Sequence, residues 1–365
     1  MNISYKAIGV NTKVRRLAYG SALVQLVGRR EMNEDEVCNL LMDWAQKHAE
    51  LLKNYYNKQG AVTSSRLSAM RYIKFAQESG LLNKIMGSYR VSRMGMLLSA
   101  LISDHGEDKT NPFFLSDVEK IFYMLHLLSV DADLLLTVFD LVQTSEGASL
   151  KELQQSFKDA YVARLRYKSN TANNQSVKQL LLERRTIAQN EWKKPERYAE
   201  HIVPPRLGWL LDLAMLDPTA FKKGAYQLSA FGRCFATLLP INFQSDRYSD
   251  ITDQWLKESF FPKACPLFFA KSQLVYWKSV DDTELREKIG TYLDAAFQNF
   301  QMTGVPAIPL DESILYLGIR LAVDGKILVN QIDLENWLRN SGEIVGKRYE
   351  IRRLPRTNES YIILS

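Results

Sequence analysis

The chain has 365 residues, 46% of them hydrophobic, a net charge of +6 and a pI near 9.0. That length implies two or three domains with enough apolar side chains for several cores, and the composition excludes a disordered chain. The positive balance admits a polyanionic partner without requiring one.

In chain order, residues 1–32 read as an N-terminal extension, part strand and part loop, with Lys13, Arg15, Arg16, Arg29 and Arg30 among them. Asn33 followed by Glu34, Asp35 and Glu36 predicts a capped helix start, because a helix N-terminus favours such acceptors and charges. Thr63 or Ser64 caps the next helix, which ends near Gly80; a strand and a new helix complete a first unit over 33–104. Residues 105–112 read as a linker. Ser116 with Glu119 and Ser149 with Glu152 form capping-box patterns. The apolar run Phe113–Val142 is broken by Asp117, Glu119, Lys120, Asp131, Asp133 and Asp140, so it reads as a buried helical hairpin and not as a membrane span. Helices over Asp131–Val142, Ser149–Ala160 and Arg206–Leu216 fit a second unit spanning 113–240, with an insertion at about 161–203. Its polar stretch 169–176 is expected as a flexible loop. A helical bridge, 241–305, contains helices at Asp250–Phe261 and Thr283–Gln301. The last unit, 306–365, has helices at Asp311–Val323 and Gln331–Asn340 and a terminal hairpin turning at 355–358.

One segment occurs twice. Leu82, Gly87, Tyr89, Ser92, Gly95 and Leu101 return as Leu216, Gly224, Tyr226, Ser229, Gly232 and Leu238, without a gap from Gly87 and Gly224 onward. Each copy predicts a helix end, a turn, a short strand and an amphipathic helix. Gly80 suits a left-handed helix stop, Tyr89 and Val91 alternate as one strand face, and Ser92 and Ser229 can cap the next helix. Gly95 and Gly232 let that helix lie close to the strand.

These phrases, Gly80-Leu81-Leu82 followed by Tyr89-Arg90-Val91-Ser92-Arg93-Met94-Gly95, and Ala214-Met215-Leu216 followed by Tyr226-Gln227-Leu228-Ser229-Ala230-Phe231-Gly232, resemble winged helix-turn-helix domains. The resemblance implies a mainly α chain with short β-hairpins (α+β): multiple winged-helix units joined by helical segments. It leaves the N-terminus, the insertion and the bridge unassigned. Winged-helix families mostly bind double-stranded DNA, with the helix before the wing in the major groove and the wing on phosphate or minor groove. Carried onto the first unit, the contacts are Arg66, Arg71 and Lys74 on the helix and Lys84, Arg90 and Arg93 in the wing. A solvated basic surface is the alternative, since Leu67, Met70, Tyr72, Ile73 and Phe75 spread around that helix.

The second unit departs from this pattern. Arg71 becomes Pro205, Lys74 becomes Gly208, Phe75 becomes Trp209, Arg90 becomes Gln227 and Arg93 becomes Ala230, which leaves Lys222 and Lys223 in a longer loop, and Arg233. This copy fits protein packing as well as DNA. The third unit concentrates Lys347, Arg348, Arg352, Arg353 and Arg356 at its hairpin, suited either to a groove or to discouraging edge aggregation. The insertion carries Arg164, Arg166, Lys168, Arg184 and Arg185 among its cations, a basic arm that gains affinity by counterion release or an ion-paired solvated helix.

Nothing in the sequence supports catalysis. Phosphate-loop, GxGxxG, GxSxG and kinase patterns are missing. Glu191-Trp192-Lys193 has the spacing of some nuclease motifs but sits in a polar helical context. Cys38, Cys234 and Cys265 are scattered, and His48, His105, His126 and His201 lack metal spacing, so no metal or cofactor and a reduced, cytoplasmic setting are expected. The expected function is a non-enzymatic double-stranded DNA-binding protein with protein partners and no membrane. Fold-level analogy extends this to a DNA-engaging subunit of a larger prokaryotic complex, in genome maintenance or mobile-element defence. The alternatives are a winged-helix protein–protein scaffold, and a transcription regulator whose bridge senses or dimerises.

Overall fold

Helix starts in this chain are written in short polar side chains, and the fold uses them. In the computed structural model, which describes residues 4–53, 63–105, 110–240, 251–269, 274–301, 305–354 and 359–364, three capping boxes form. Asn33, Ser116 and Ser149 accept from the N–H of Glu36, Glu119 and Glu152, whose carboxylates reach back to the capping residues' N–H. The helix expected behind Thr63 or Ser64 starts behind Ser65, whose Oγ accepts from Ser68 N.

The described residues are mainly helical, with four small sheets. The first block comprises α1 (Ala18–Val27), β1 (Met32–Asn33), α2 (Glu34–Lys47), α3 (Ala49–Lys53), α4 (Arg66–Glu78), β2 (Leu82–Ile85), β3 (Ser88–Val91) and α5 (Arg93–Asp104). The second comprises α6 (Asp117–Val130), α7 (Ala132–Thr144), β4 (Ala148–Ser149), α8 (Leu150–Thr171), α9 (Gln175–Thr186), a π-helical turn Ile187–Glu191, α10 (Pro195–Asp212), α11 (Pro218–Lys222), β5 (Ala225–Tyr226) and α12 (Ala230–Leu238). The third comprises α13 (Asp253–Ser259), β6 (Val275–Tyr276), α14 (Asp282–Phe300), β7 (Ala307–Pro309), α15 (Leu310–Val323), β8 (Ile327–Leu328), α16 (Gln331–Ser341), β9 (Glu343–Ile344), β10 (Lys347–Leu354) and β11 (Glu359–Leu364).

One order of elements is visible three times: helix, strand, helix, helix, strand, strand, with the last strand between the other two. It is α1-β1-α2-α4-β2-β3 with sheet order β1-β3-β2. It recurs as α7-β4-α8-α10, with β4 paired to β5 and a single bridge between Leu216 and Leu228. It recurs again as α14-β7-α15-α16-β10-β11, with β7 beside β11 and β11 beside β10. The helix read from sequence as part of a bridge is thus α14, which opens the third set. The stretch 169–176, expected as a loop, is mostly helix: α8 runs on through Thr171 because Lys168 and Ser169 are buried, and Asn174 caps α9.

The repeated phrase builds the same joint twice. Leu81 N donates to Ala76 O (2.7 Å) and Met215 N to Leu210 O (2.8 Å), closing α4 and α10. Gly80 and Ala214 both turn the chain with positive φ, +74° and +60°. Ser92 Oγ accepts from Gly95 N at 3.0 Å and Ser229 Oγ from Gly232 N at 2.9 Å; each hydroxyl donates back to the carbonyl of Gly80 or Ala214. A Cβ on Gly95 would meet Leu81 O at 2.2 Å, and one on Gly232 would meet Met215 O at 2.2 Å.

The N-terminal segment is held by buried charge. Lys6 N and Ile8 N donate to Asp133 (2.7 Å) and Asp131 (3.0 Å), and Leu17 N donates to Asp212 (2.9 Å). Each carboxylate also binds a cation: Asp131 takes Arg206 through both oxygens at 2.7 and 2.8 Å, Asp133 takes Lys168 at 2.7 Å, and Asp212 takes Arg16 at 2.9 Å. Arg206 and Lys168 also donate to the carbonyls of Ile8 and Ser4, and Trp209 Nε1 to that of Val14. The strap so formed lies on α10, where a Cβ on Gly208 would meet Arg15 O at 2.4 Å. No single helix among the described residues is long and apolar enough to cross a membrane; the apolar pair α6 and α7 bends by 110° and is largely buried.

Three outcomes follow from this packing. Gly95→Ala and Gly232→Ala each push a methyl into a backbone carbonyl and lose about 1–3 kcal/mol, whereas Ala214→Gly relieves an L-residue in left-handed backbone and gains up to ~1 kcal/mol net of glycine entropy; urea midpoints at constant slope measure both. Arg206→Met strands the Asp131 charge in the core and costs about 3–5 kcal/mol, part of which returns in the Asp131→Leu/Arg206→Met double variant. The third outcome is a stability maximum set by two histidines. His105 places Nδ1 on Leu101 O and Nε2 on Asp324 Oδ1, both at 2.8 Å, and the Asp324 carboxylate raises its pKa. Its contribution is complete below the unfolded value of 6.5 and disappears as pH rises through the higher folded value. Burial pushes His126 down to about 4, so its contribution is lost as pH falls from 6.5 towards 4. Thermal melting across pH should show a flatter alkaline limb in His105→Gln and a flatter acid limb in His126→Gln.

Candidate nucleic-acid interface

α4 buries Ala69, Tyr72, Ile73, Phe75 and Ala76, which fixes its opposite face. Arg66, Leu67, Met70, Lys74, Gln77 and Glu78 are exposed there, and Arg71 is half-buried at its edge. The helical period therefore sends the three expected cations of α4 outward or to the rim. Beside this face, β2 and β3 turn through Met86 and Gly87, both with positive φ (+49° and +86°), which makes a two-residue hairpin. The tip is apolar: Ile85 is 44% exposed and Met86 is fully exposed. With Leu67 at 60% and Met70 at 36%, four apolar side chains stand in solvent on α4 and the hairpin.

Most cations around this face already have carboxylate partners. Arg66 sits 2.6 Å from Asp35, and Lys84 sits 3.2 Å from Glu34 and over the Tyr89 ring. The Lys84 hydrogen bond holds the Glu34 carboxyl below its usual pKa. Arg90 pairs with Glu31 at 2.5 Å. Arg71 and Lys74 have no carboxylate partner among the described residues. Arg93 is also paired within the molecule, 3.1 Å from Glu359 and 2.9 Å from the Tyr361 hydroxyl, and so ties α5 to β11.

The second block offers no equivalent helix face. Every residue of α10 from Val203 to Asp212 is buried, under the strap and the neighbouring helices. The sequence left open whether this copy meets DNA or protein; its α10 meets the chain's own N-terminus. Lys222 and Lys223 are exposed at the end of α11. In the third block, α16 carries Asp333 and Glu335 with Arg339 paired to Glu335, so its charge is not basic. On β10, Lys347 binds both oxygens of Asp294 at 2.6 Å, and Arg352 binds Glu350 at 2.5 Å. Arg348 and Arg353 are exposed. Arg356 lies outside the described residues.

The expected basic arm is two kinds of residue. Arg164 and Lys168 are not solvent-facing: they are 1% and 2% exposed, bound to Asp140 (2.5 Å) and Asp133. Their spacing on α8 is the i, i+4 spacing of one face, and that face meets the acidic side of α7. Arg166 and Arg184 are exposed, Arg185 is half-buried, and Arg184 lies over the Tyr5 ring at 5.5 Å. Glu191 closes the π-helical turn and is on no strand.

What the sequence reading missed at the first block is the acidic edge, Glu31, Glu34 and Asp35. Glu34 and Asp35 were read as helix-start charges and Glu31 was not singled out; strand pairing of β1 with β3 brings them beside the cations of α4 and the hairpin. Comparison of the chain with protein-family models, with curated proteins and with solved structures finds no match.

Proposed function

We propose that this chain is a non-catalytic protein of tandem winged-helix units that binds double-stranded DNA through its first unit, as a cytoplasmic component of a larger assembly. The observation that carries the reading is the exposed face of α4, with Arg71 and Lys74 uncommitted to carboxylates among the described residues, beside a protruding two-stranded hairpin. A helix of that kind fits a major groove, and the hairpin beside it reaches an adjacent minor groove. Met86 at the tip has the character of an apolar wedge, a side chain that minor-groove proteins insert between base steps. Arg348 and Arg353 on β10 supply a second basic edge for the backbone. The second unit serves as the mount.

A protein-docking scaffold is the competing reading, and one observation favours it. Leu67, Met70, Ile85 and Met86 form an exposed apolar set whose neighbouring charges are largely neutralised, a pattern that suits a protein partner.

Salt dependence separates the two. Duplex affinity measured by fluorescence anisotropy should fall as salt rises, and Arg71→Ala/Lys74→Ala should flatten the log–log slope by about two, at ~0.9 per released phosphate contact. Absence of binding to any duplex at low salt removes the DNA reading and leaves the scaffold.

A further inference from the structure

Four aromatic rings in the second block stack nearly parallel, one on the next. Phe157 and Tyr161 on α8 have centroids 5.7 Å apart at 12°, Tyr161 and Trp192 are 5.8 Å apart at 12°, and Trp192 and Tyr198 are 4.8 Å apart at 3°. Exposure rises along the series: Phe157 and Tyr161 are buried, Trp192 is half-buried, and Tyr198 is 43% exposed. No further ring caps Tyr198 among the described residues.

The stack is held from several sides. The Tyr161 hydroxyl meets that of Tyr5 at 2.8 Å. Trp192 follows the π-helical turn Ile187–Glu191, whose Gln189 carbonyl accepts from Lys158 at 3.0 Å. Single π-turns inside helical segments are uncommon and concentrate at functional sites. Tyr198 comes from the first turns of α10, behind Pro195. Two separate helical segments are thereby brought to present one pair of stacked, parallel rings.

The surroundings carry a small excess of cations, concentrated next to Trp192. Residues 183–200 contain Arg184, Arg185, Lys193, Lys194 and Arg197, five cations, against Glu183, Glu191, Glu196 and Glu200, four acids. Lys193, Lys194 and Arg197 are exposed and without a carboxylate partner among the described residues. A π-face that ends a rigid stack, with cations on either side of it in the chain, has the chemistry of a base-stacking platform: every nucleobase has a flat face, and its flanking phosphates need cations. An aromatic peptide side chain would fill the stack and leave the cations unused.

We propose that the outer face of Tyr198, backed by Trp192, forms a stacking site for an unpaired nucleobase of single-stranded nucleic acid, with Lys193, Lys194 and Arg197 taking the neighbouring phosphates. This site shares no residue with the duplex-binding face of α4. Titration of the full chain with oligothymidine of about 15 nucleotides at low salt, followed by tryptophan fluorescence and by anisotropy, tests it. Binding should quench fluorescence, and Trp192→Phe should remove most of the quench. Tyr198→Ala should weaken binding roughly ten- to hundredfold while leaving circular dichroism and blunt-duplex affinity unchanged, and Tyr198→Phe should restore it. Oligothymidine binding that is absent in the wild type, or unchanged in Tyr198→Ala, overturns the proposal. A loss only in Lys193→Ala/Lys194→Ala, with Tyr198→Ala unaffected, overturns the stacking and reduces the site to charge. Retained oligothymidine binding in a chain that ignores blunt duplex supports this site and removes the duplex reading alone.

Discussion

Three carboxylates in the interior, Asp131, Asp133 and Asp212, each bind one cation and one backbone N–H of the N-terminal strap. Residues 4–16 form no helix or strand, so their polar backbone groups have no ladder to join. The N–H groups of Lys6, Ile8 and Leu17 and the carbonyls of Ser4, Ile8 and Val14 are satisfied by side chains instead. Burying such charges is unfavourable, and for Asp131 it outweighs Arg206: burial raises that carboxyl above its usual range despite the guanidinium on both oxygens. Paired charges of this sort add little net stability over apolar packing. They define one arrangement, because any shift of the strap leaves an ion or an amide unpaired. The path of the strap, and hence what covers α10, depends on them.

That covering sets the two copies of one joint in different surroundings. The Ser–Gly joint behind α4 and α10 repeats down to its hydrogen bonds, so the backbone of the two units is under the same constraint. The faces diverge. Where α4 shows Arg71 and Lys74, α10 has Pro205 and Gly208, and the missing Cβ of Gly208 is the space that Arg15 occupies. The aligned aromatics Phe75 and Trp209 meet at 5.2 Å, and the Tyr72 hydroxyl donates to Lys13 O, so the strap passes between the two equivalent helices. The face of α10 that matches the exposed face of α4 is thus the seat on which the first block is mounted. A similar tie joins the first block to the third, where Arg320 binds both Asp104 and Asp324 and Arg93 reaches Glu359.

Short-range chemistry was legible in the sequence, and long-range pairing was not. Capping side chains announce themselves within four residues, so Asn33, Ser92, Ser116, Ser149 and Ser229 were all identifiable as caps. The glycines of the repeat pointed to a close approach, and the approach is to the carbonyls of Leu81 and Met215. By contrast, the roles of Arg164 and Lys168 depend on Asp140 and Asp133, more than twenty residues away on another helix, and a basic residue looks the same in a list whether it faces water or a carboxylate. The helix at Thr283–Gln301 was legible, but its place in the third set was not, because β7, three residues long, identifies its unit only through its pairing with β11. The aromatic stack escaped for the same reason: Tyr161 and Trp192 are 31 positions apart, and only the return of the chain through α9 brings them together.

The carboxylates around α4 also limit how the proposed duplex face can work. Exposed pairs such as Arg66 with Asp35 or Arg90 with Glu31 are each worth about 0–1 kcal/mol, so a phosphate can displace them. It then approaches Asp35 or Glu31 itself, and like-charge repulsion takes back part of the gain. The counterion-release contribution of this face therefore concentrates on Arg71 and Lys74, a small number for a protein that relies on charge alone. What the face has in greater supply is exposed apolar surface, on Leu67, Met70, Ile85 and Met86. Tight binding through it, to duplex or to protein, has to come from shape contact at those four side chains, with charge setting the approach.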